Sequence, residues 1–326
     1  MTNSARSGAA MASDKRALRK RGRAFRLNSV KRRWQLFLFL LIPVVWVIIF
    51  NYVPMVGVQI AFRKYKIRDG IWGSKWVGLA HFVKFFNSYQ FQRVLINTIR
   101  VSLYSLVAGF PLPIVLALCM NALTNQRYKK FVQTLTYIPH FISTVVMVGM
   151  IVQIFNSTTG LYGRLGMIFT GQRPDDLLSQ ASVFPHMYVW SGVWQGMGWS
   201  SIIYMAALSS VDASLHEAAE IDGASRFQRC IYIDFPCILP TATILLIMNA
   251  GSIMSVGFEK VFLMQNSLNL STSEVISTYV YKVSLTASGN DFSYGTAIGL
   301  FNSLVNMALL VLVNFISKRV GETSLW

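Results

Sequence analysis

Apolar positions in this chain collect in long uninterrupted windows, not in the three-to-four-spaced stripes of a soluble helix. Residues 34–62, 101–126, 131–163, 177–211, 235–258 and 292–317 hold no Asp, Glu, Lys or Arg. Each window is longer than the roughly 20 apolar residues that carry a helix across about 30 Å of hydrocarbon. A helix on a soluble protein shows charge on its outer face every turn or two. Lipid cannot satisfy exposed backbone groups, so each window is expected to be helical. The pattern predicts an all-α integral membrane protein with six transmembrane helices, at about 34–58, 95–121, 133–155, 183–209, 235–257 and 293–317. The third and fourth windows exceed one span, and Pro139 and Pro185 are natural points for a helix entry or a kink.

Composition sharpens this picture. Of 326 residues, 53% are apolar and 13% charged, against about 25% charged in an ordinary soluble domain. Disordered and collagen-like chains are excluded. Cys119, Cys230 and Cys237 cannot build a disulfide framework and have no zinc spacing, so no metal is expected and the thiols read as inert. A net charge of +17 raises nucleic acid or anionic lipid as partners, and the placement of the charge decides. Residues 1–33 hold 11 of the 30 basic residues. They form a basic tail expected to lie on membrane lipid; nucleic acid is not expected. An N-in, C-in arrangement puts 1–33, 122–132, 210–232 and 318–326 inside with 18 basic residues, and 59–92, 156–182 and 257–293 outside with 10, which agrees with the positive-inside rule. Arg63, Lys64, Lys66, Arg68, Lys75 and Lys84 in the first outside loop oppose it. The first window is too long for a signal peptide and no small-x-small site follows it, so it reads as an uncleaved span.

The inside loop between spans four and five, 210–232, is unlike a plain connection. Asp212 or Ser214 can cap a helix, with Glu217 as capping-box partner to Ser214. Leu215, Ala218, Ala219 and Ile221 give a short helix that Gly223 breaks. A second helix is expected from Ala224 to Pro236, where the next span begins. Glu217, Glu220 and Asp222 sit among Arg226 and Arg229, making a compact charged elbow.

These residues resemble a known pattern. Glu217-Ala218-Ala219, Gly223 and Ile233-x-Phe235-Pro236 are similar to the "EAA" loop of permease subunits in bacterial binding-protein-dependent ABC importers; the one departure is Phe235 in place of Leu. Trp76-Val77-Gly78-Leu79 with Phe82, Phe85 and Phe86, Asn97-Thr98, the run Tyr137 to Ser143, Gly299-Leu300-Phe301-Asn302 and Leu325-Trp326 look like the oligosaccharide and polysaccharide branch of that family, which includes alginate-type importers. The resemblance covers about 34–326 as one type I transmembrane domain and leaves the 1–33 tail outside. It implies a second homologous permease subunit, two ATP-binding subunits and an extracytoplasmic solute-binding protein as partners, in a bacterial cytoplasmic (inner) membrane. It also assigns ATPase coupling to Glu217, Ala218, Ala219, Glu220, Asp222, Gly223, Arg226 and Phe227, and it turns the elbow to the cytoplasm.

The chain has no phosphate-binding Gly-x-x-x-x-Gly-Lys-[Ser/Thr] loop and no catalytic constellation, so no enzyme activity or cofactor of its own is expected, and ATP would belong to partner subunits. Ion-driven carriers and channels need charge at membrane depth, which the windows lack. Candidates for a sugar path are Tyr137, His140, Trp190, Trp194, Asn249 and Asn302. Trp190 and Trp194, one turn apart, equally fit a packing stripe; His140, Asn249 and Asn302 equally fit interhelical hydrogen bonding. Gly192, Gly196 and Gly198 read as close-packing positions. The positive first outside loop favours an acidic cargo such as alginate oligomers over a neutral sugar.

Overall fold

A computed structural model describes residues 34–286 and 291–321; the basic tail and the terminal Leu325-Trp326 lie outside them. The chain divides into two units, residues 1–59 and 60–326. In the first, the described residues belong to helix α1 (Trp34–Phe62). Pro54 has no N–H to give to the carbonyl four residues back, and the helix takes a π turn at Ile48–Tyr52, with Val53 N–H bonded to Ile48 O. The extra residue in that turn absorbs the missing donor.

The second unit opens with an antiparallel hairpin, β1 (Arg63–Lys66) and β2 (Ser74–Trp76), paired Arg63 to Trp76 and Lys64 to Lys75. Helix α2 (Ala80–Phe86) follows, and then α3 (Tyr89–Ala122), capped by Ser88. A broken pair, α4 (Gln126–Phe141) and α5 (Thr144–Ile154), comes next. After α6 (Leu161–Thr170) stand α7 (Phe184–Leu208), the short α8 (Ala213–Ile221), α9 (Arg226–Ala250), α10 (Phe258–Met264), α11 (Ile276–Tyr281) and α12 (Phe292–Gly321).

Four described helices, α1, α3, α9 and α12, are long and apolar enough to cross a membrane, and the bent pair α4/α5 raises that to five if it forms one span. The kink expected at Pro139 in the third window is present, and α4 and α5 meet at 99°. Pro139 ends the first arm, Ile142 is extended, and Ser143 starts a new helix by accepting the Val146 N–H, the usual consequence of a proline followed by a cap. Gln195 Nε2 on α7 donates to Ile142 O at 2.7 Å, so the carbonyl released at the break is satisfied. The fourth window folds as α7, which is not among the helices apolar enough to count as a span. Its 25 residues reach about 37 Å at 1.5 Å each, without a charged side chain, but Trp, Tyr, Gly and Ser dilute its hydropathy. The second and fifth windows begin earlier than expected, at Tyr89 and Arg226, and α9 ends at Ala250, short of 257. There the chain turns, and Asn306 Oδ1 on α12 accepts the Met254 N–H.

Helix α7 is the hub of the second unit, packing on α3, α4 and α9. Ile114, Ala117, Tyr204, Leu208, Ile238 and Ala242 form the core where α3, α7 and α9 meet. A second core joins Phe85, Val94, Met254, Ile276, Tyr279, Tyr294 and Ile298. Beside it, buried Glu274 pairs with Arg93, while Lys282 lies 3.4 Å away. Asn97 Nδ2 donates to Glu274 O and Thr98 Oγ1 accepts from Ile276 N, so Asn97-Thr98 pin the segment before α11 onto α3.

Among the three close-packing glycines, Gly198 alone meets a neighbouring backbone. A Cβ there would stand 2.1 Å from Thr136 O, whereas at Gly196 nothing lies within 4 Å. Gly198→Ala is expected to force α4 and α7 apart, at about 1–3 kcal/mol. Thermal unfolding of the purified protein should therefore fall for Gly198→Ala and hold for Gly196→Ala; equal midpoints contradict the contact.

Candidate functional site

The elbow is built from two short helices joined by two capping motifs in direct succession. Asp212 caps α8 by accepting the Ser214 N–H, and these hydrogen bonds hold its carboxyl below the usual carboxylate range. Of the two expected caps, Asp212 fills the role and Ser214 does not. At the other end Gly223 N–H bonds Glu220 O and Ala224 N–H bonds Ala219 O, with Gly223 at φ 78. This double closure around a left-handed residue is a Schellman motif. Its geometry explains the Ala219 to Gly223 spacing, since the third-from-last helical residue and the left-handed residue are four apart. Ser225, not Ala224, starts the second arm, in a capping box with Gln228: Ser225 N–H to Gln228 Oε1 at 2.8 Å and Gln228 N–H to Ser225 Oγ at 3.3 Å.

The second arm does not stop at Pro236, as expected from the sequence. Arg226–Arg229 continues through a π turn at Cys230–Asp234, where Phe235 N–H reaches Cys230 O, into Phe235–Ala250. The solution is the same as at Pro54: one extra residue ahead of the proline. The elbow's second arm and the apolar helix are thus one body.

Two polar contacts brace the arms. Arg229 Nη1 lies 2.7 Å from Glu220 Oε2 and 3.5 Å from His216 O. His216 Nε2 lies 3.2 Å from Oδ1 of buried Asp234, out of line for a hydrogen bond. Glu217, Ala218, Glu220, Asp222, Gly223, Arg226 and Phe227 are exposed, and Ala219 is half-buried. Ile221 and Phe227 stand 87% and 73% exposed. The structure therefore gathers all eight sequence-predicted coupling residues on one elbow, with two bare apolar side chains among the charges.

A cavity of about 710 Å³ lies between α3, α7 and α9 and the turn after α9. Ser102, Ser105, Ser200, Ser252 and Ser255 supply hydroxyls, with Asn249, Tyr188, Tyr204 and Trp199, and no Asp, Glu, Lys or Arg lines it. Of the six predicted path residues, Asn249 alone is in this wall. His140 stacks on Trp199, ring centroids 4.4 Å apart and 3° from parallel, one layer behind. Tyr137 Oη donates to Met205 Sδ. Trp190 and Trp194 line a separate apolar cavity of about 590 Å³ with Met147, Met150 and Ile151, and Trp190 Nε1 donates to Tyr104 Oη. Asn302 Oδ1 is buried and away from the cavity; Asn306 on the same helix ties α12 to the Met254–Ser255 turn instead. The serines carry no sequence signal, because a hydroxyl in a span satisfies itself on its own helix equally well.

Lys260 is a further residue that sequence reasoning missed. Its Nζ donates to Tyr188 O at 2.6 Å and sits 4.6 Å from the Tyr188 ring centroid, and no carboxylate among the described residues pairs with it. Tyr188 is part of the large cavity's wall, so this cation stands just behind it. Burial brings its pKa down to about 8.

Residues 109–322 match the family described as binding-protein-dependent transport system inner membrane component. Protein LplB of Bacillus subtilis is 40% identical over 300 residues, covering 92% of this chain and 93% of LplB. The polygalacturonan/rhamnogalacturonan transport system permease protein YteP of the same organism is 39% identical over 291 residues, covering 89% and 90%. Among solved structures, a chain of a bacterial ABC transporter involved in the import of the acidic polysaccharide alginate superposes with a TM-score of 0.81 at 38% identity, covering 90% of this chain and 98% of that one. The bacterial alginate ABC transporter in complex with an alginate pentasaccharide-bound periplasmic protein superposes at 0.82.

Two outcomes follow from the site. Arg229→Gln removes a brace whose partner is exposed, so global stability is expected to change by less than about 1 kcal/mol. Amide exchange across residues 213–221 should nonetheless speed up, and unchanged exchange there contradicts the brace. Lys260 binds its proton less tightly when folded, at about 8 against 10.5. Its contribution to stability is therefore present above pH 10.5 and lost as pH falls to 8, about 3 kcal/mol at most. The stability that Lys260→Met gains over the parent should shrink as pH rises from 8 to 10.5; a constant difference contradicts the burial.

Proposed function

The chain belongs to the binding-protein-dependent transport system inner membrane components, and from that membership we propose that it is a permease subunit of an ATP-driven sugar importer whose elbow docks on an ATP-binding subunit. The observation that carries this reading is the elbow itself. It is capped at both arms, braced by Arg229–Glu220, continuous with α9, and presents Ile221 and Phe227 to the outside. An exposed apolar pair ringed by charge marks a partner surface. A push on that surface is carried along α9 to the core shared with α3 and α7, beside the large cavity. Alternating access then follows from rigid-body movement of packed helices.

In this reading the chain crosses the bacterial inner membrane six times, N-in and C-in. The bent pair α4/α5 and the charge-free α7 supply the spans beyond the four unbroken apolar helices. A second permease subunit, two ATP-binding subunits and an extracytoplasmic solute-binding protein complete the assembly. The cargo is an oligo- or polysaccharide. The hydroxyl and aromatic wall of the cavity suits sugar rings, which take hydrogen bonds at the edge and ring contact at the face. An acidic saccharide such as alginate oligomers is preferred over a neutral one, supported by the alginate importer among the similar structures, by Lys260 behind the wall and by the basic first loop. A secondary carrier or channel is the alternative, and the absence of any charged residue in the cavity wall weighs against it.

Gly223→Asp tests the elbow. Side chains other than Gly are strained at φ 78, and an added carboxylate stands beside Glu220 and Asp222. In vesicles carrying the chain with its ATP-binding subunits and solute-binding protein, uptake of the bound saccharide should fall about tenfold or more, the rate equivalent of some 1.4 kcal/mol. Undiminished uptake contradicts the coupling role. A binding screen on the solute-binding protein decides the cargo: exclusive affinity for neutral sugars removes the acidic assignment.

A further inference from the structure

We propose that the β1–β2 hairpin is a headgroup clamp that holds anionic phospholipid against one lysine-bearing face. Lys64 and Lys75 are direct cross-strand partners, so their side chains leave the same face about 5 Å apart at Cβ, and Lys66, two residues on, leaves it as well. All three are exposed and enter no ion pair among the described residues. Like charges placed opposite each other destabilise a strand pair, and nothing in the hairpin offsets them: Asp69, its one acidic residue, is not paired with them. Three ammonium groups on one face give it charge complementarity to an anion.

The hairpin is also rigid, which separates it from a loosely charged loop. Its other face is fastened down. Tyr65 N–H donates to Ser293 Oγ at 2.9 Å and the Tyr65 ring meets Phe292 edge-on. The Arg63 guanidinium lies 5.8 Å and 5.5 Å from the Trp72 and Trp76 rings, and Trp76 stacks on Phe62. Ser74 Oγ donates to Gly70 O at 2.6 Å, closing the turn. The lysine face is thus held out at a fixed angle.

Location and apolar content select lipid as the occupant. Arg63 follows Phe62, the last residue of the membrane-length helix α1. Four strand residues reach about 13 Å, so the whole hairpin stays close to where that helix leaves the hydrocarbon. Its tip exposes Ile67 and Trp72, each 73% accessible, between the lysines. Trp at the boundary beside Lys is the composition of a membrane interface, with the ring among headgroups and the ammonium groups on phosphates. The proposal needs only that α1 meets a bilayer; it holds on either side of the membrane and does not depend on cargo or coupling.

The test uses the full chain with Cys119, Cys230 and Cys237 replaced by Ser and a fluorophore on Ile67→Cys, in vesicles of phosphatidylcholine with or without phosphatidylglycerol and a headgroup-labelled quenching lipid. Quenching is expected to be strong with phosphatidylglycerol and to drop in neutral vesicles. It should drop also in the Lys64→Gln, Lys66→Gln, Lys75→Gln triple variant, each lysine being worth about fivefold in partition to an anionic surface. Quenching that is absent, or equal in the two vesicle types, overturns the proposal. The vesicle comparison on the parent protein decides the matter even where the triple variant fails to fold. Shielding of the probe by the solute-binding protein with no dependence on lipid charge assigns the face to that protein and overturns it equally.

Discussion

In apolar surroundings a backbone N–H or C=O without a partner is expensive, and a helix must therefore account for every one of its own. The shape of this chain is the record of how it does so around its prolines. At Pro54 and Pro236 the missing donor is absorbed by a π turn and the helix continues. At Pro139 the helix stops, Gln195 takes the released Ile142 carbonyl, and Ser143 starts again nearly at a right angle. Three prolines with one physical defect give two outcomes, and the difference lies in what stands beside them. Pro139 has a cap four residues later and an amide from α7 on the carbonyl at the break.

The continuity at Pro236 has the largest consequence. Had the helix broken there, the elbow would hang from a flexible joint. Instead the Schellman closure at Gly223, the capping box at Ser225 and the braces to Glu220 and Asp234 fix α8 on the end of α9. Displacement at Phe227 is then displacement of Ile238 and Ala242, which share a core with Tyr204 and Leu208 of α7. Gly198 brings α7 to within backbone contact of α4, so the hub also touches the broken pair. In the proposed coupling, such a movement reshapes a cavity walled by α3, α7 and α9 and lined by no Asp, Glu, Lys or Arg.

Much of this was legible in the residues, for reasons that differ by element. The membrane-length helices α1, α3, α9 and α12 were visible because a charge cannot be hidden at bilayer depth. The elbow was visible because Ala219-x-x-x-Gly223 is the spacing that a Schellman closure imposes, and the bend near Pro139 because proline has no donor. The angle of that bend was not, since it depends on Gln195 from a helix far along the chain. Ser102, Ser105, Ser252 and Ser255 were not, because a serine in a span serves a cavity and its own carbonyl with equal ease. The surroundings of Trp190 and Trp194 were not legible for a related reason: an aromatic stripe looks the same facing a sugar as facing Met147 and Ile151. Lys260, alone in a loop by sequence, becomes informative only when Tyr188 is seen beneath it.

Site-specific photo-crosslinking at Phe227 tests the central claim most directly. With a photoreactive side chain at that position in native membranes, the account predicts a covalent adduct to an ATP-binding subunit, lost when Gly223 is replaced by Asp and absent when the same group is placed at Ile67. Capture of lipid or of the solute-binding protein at Phe227, with no ATP-binding subunit, contradicts it.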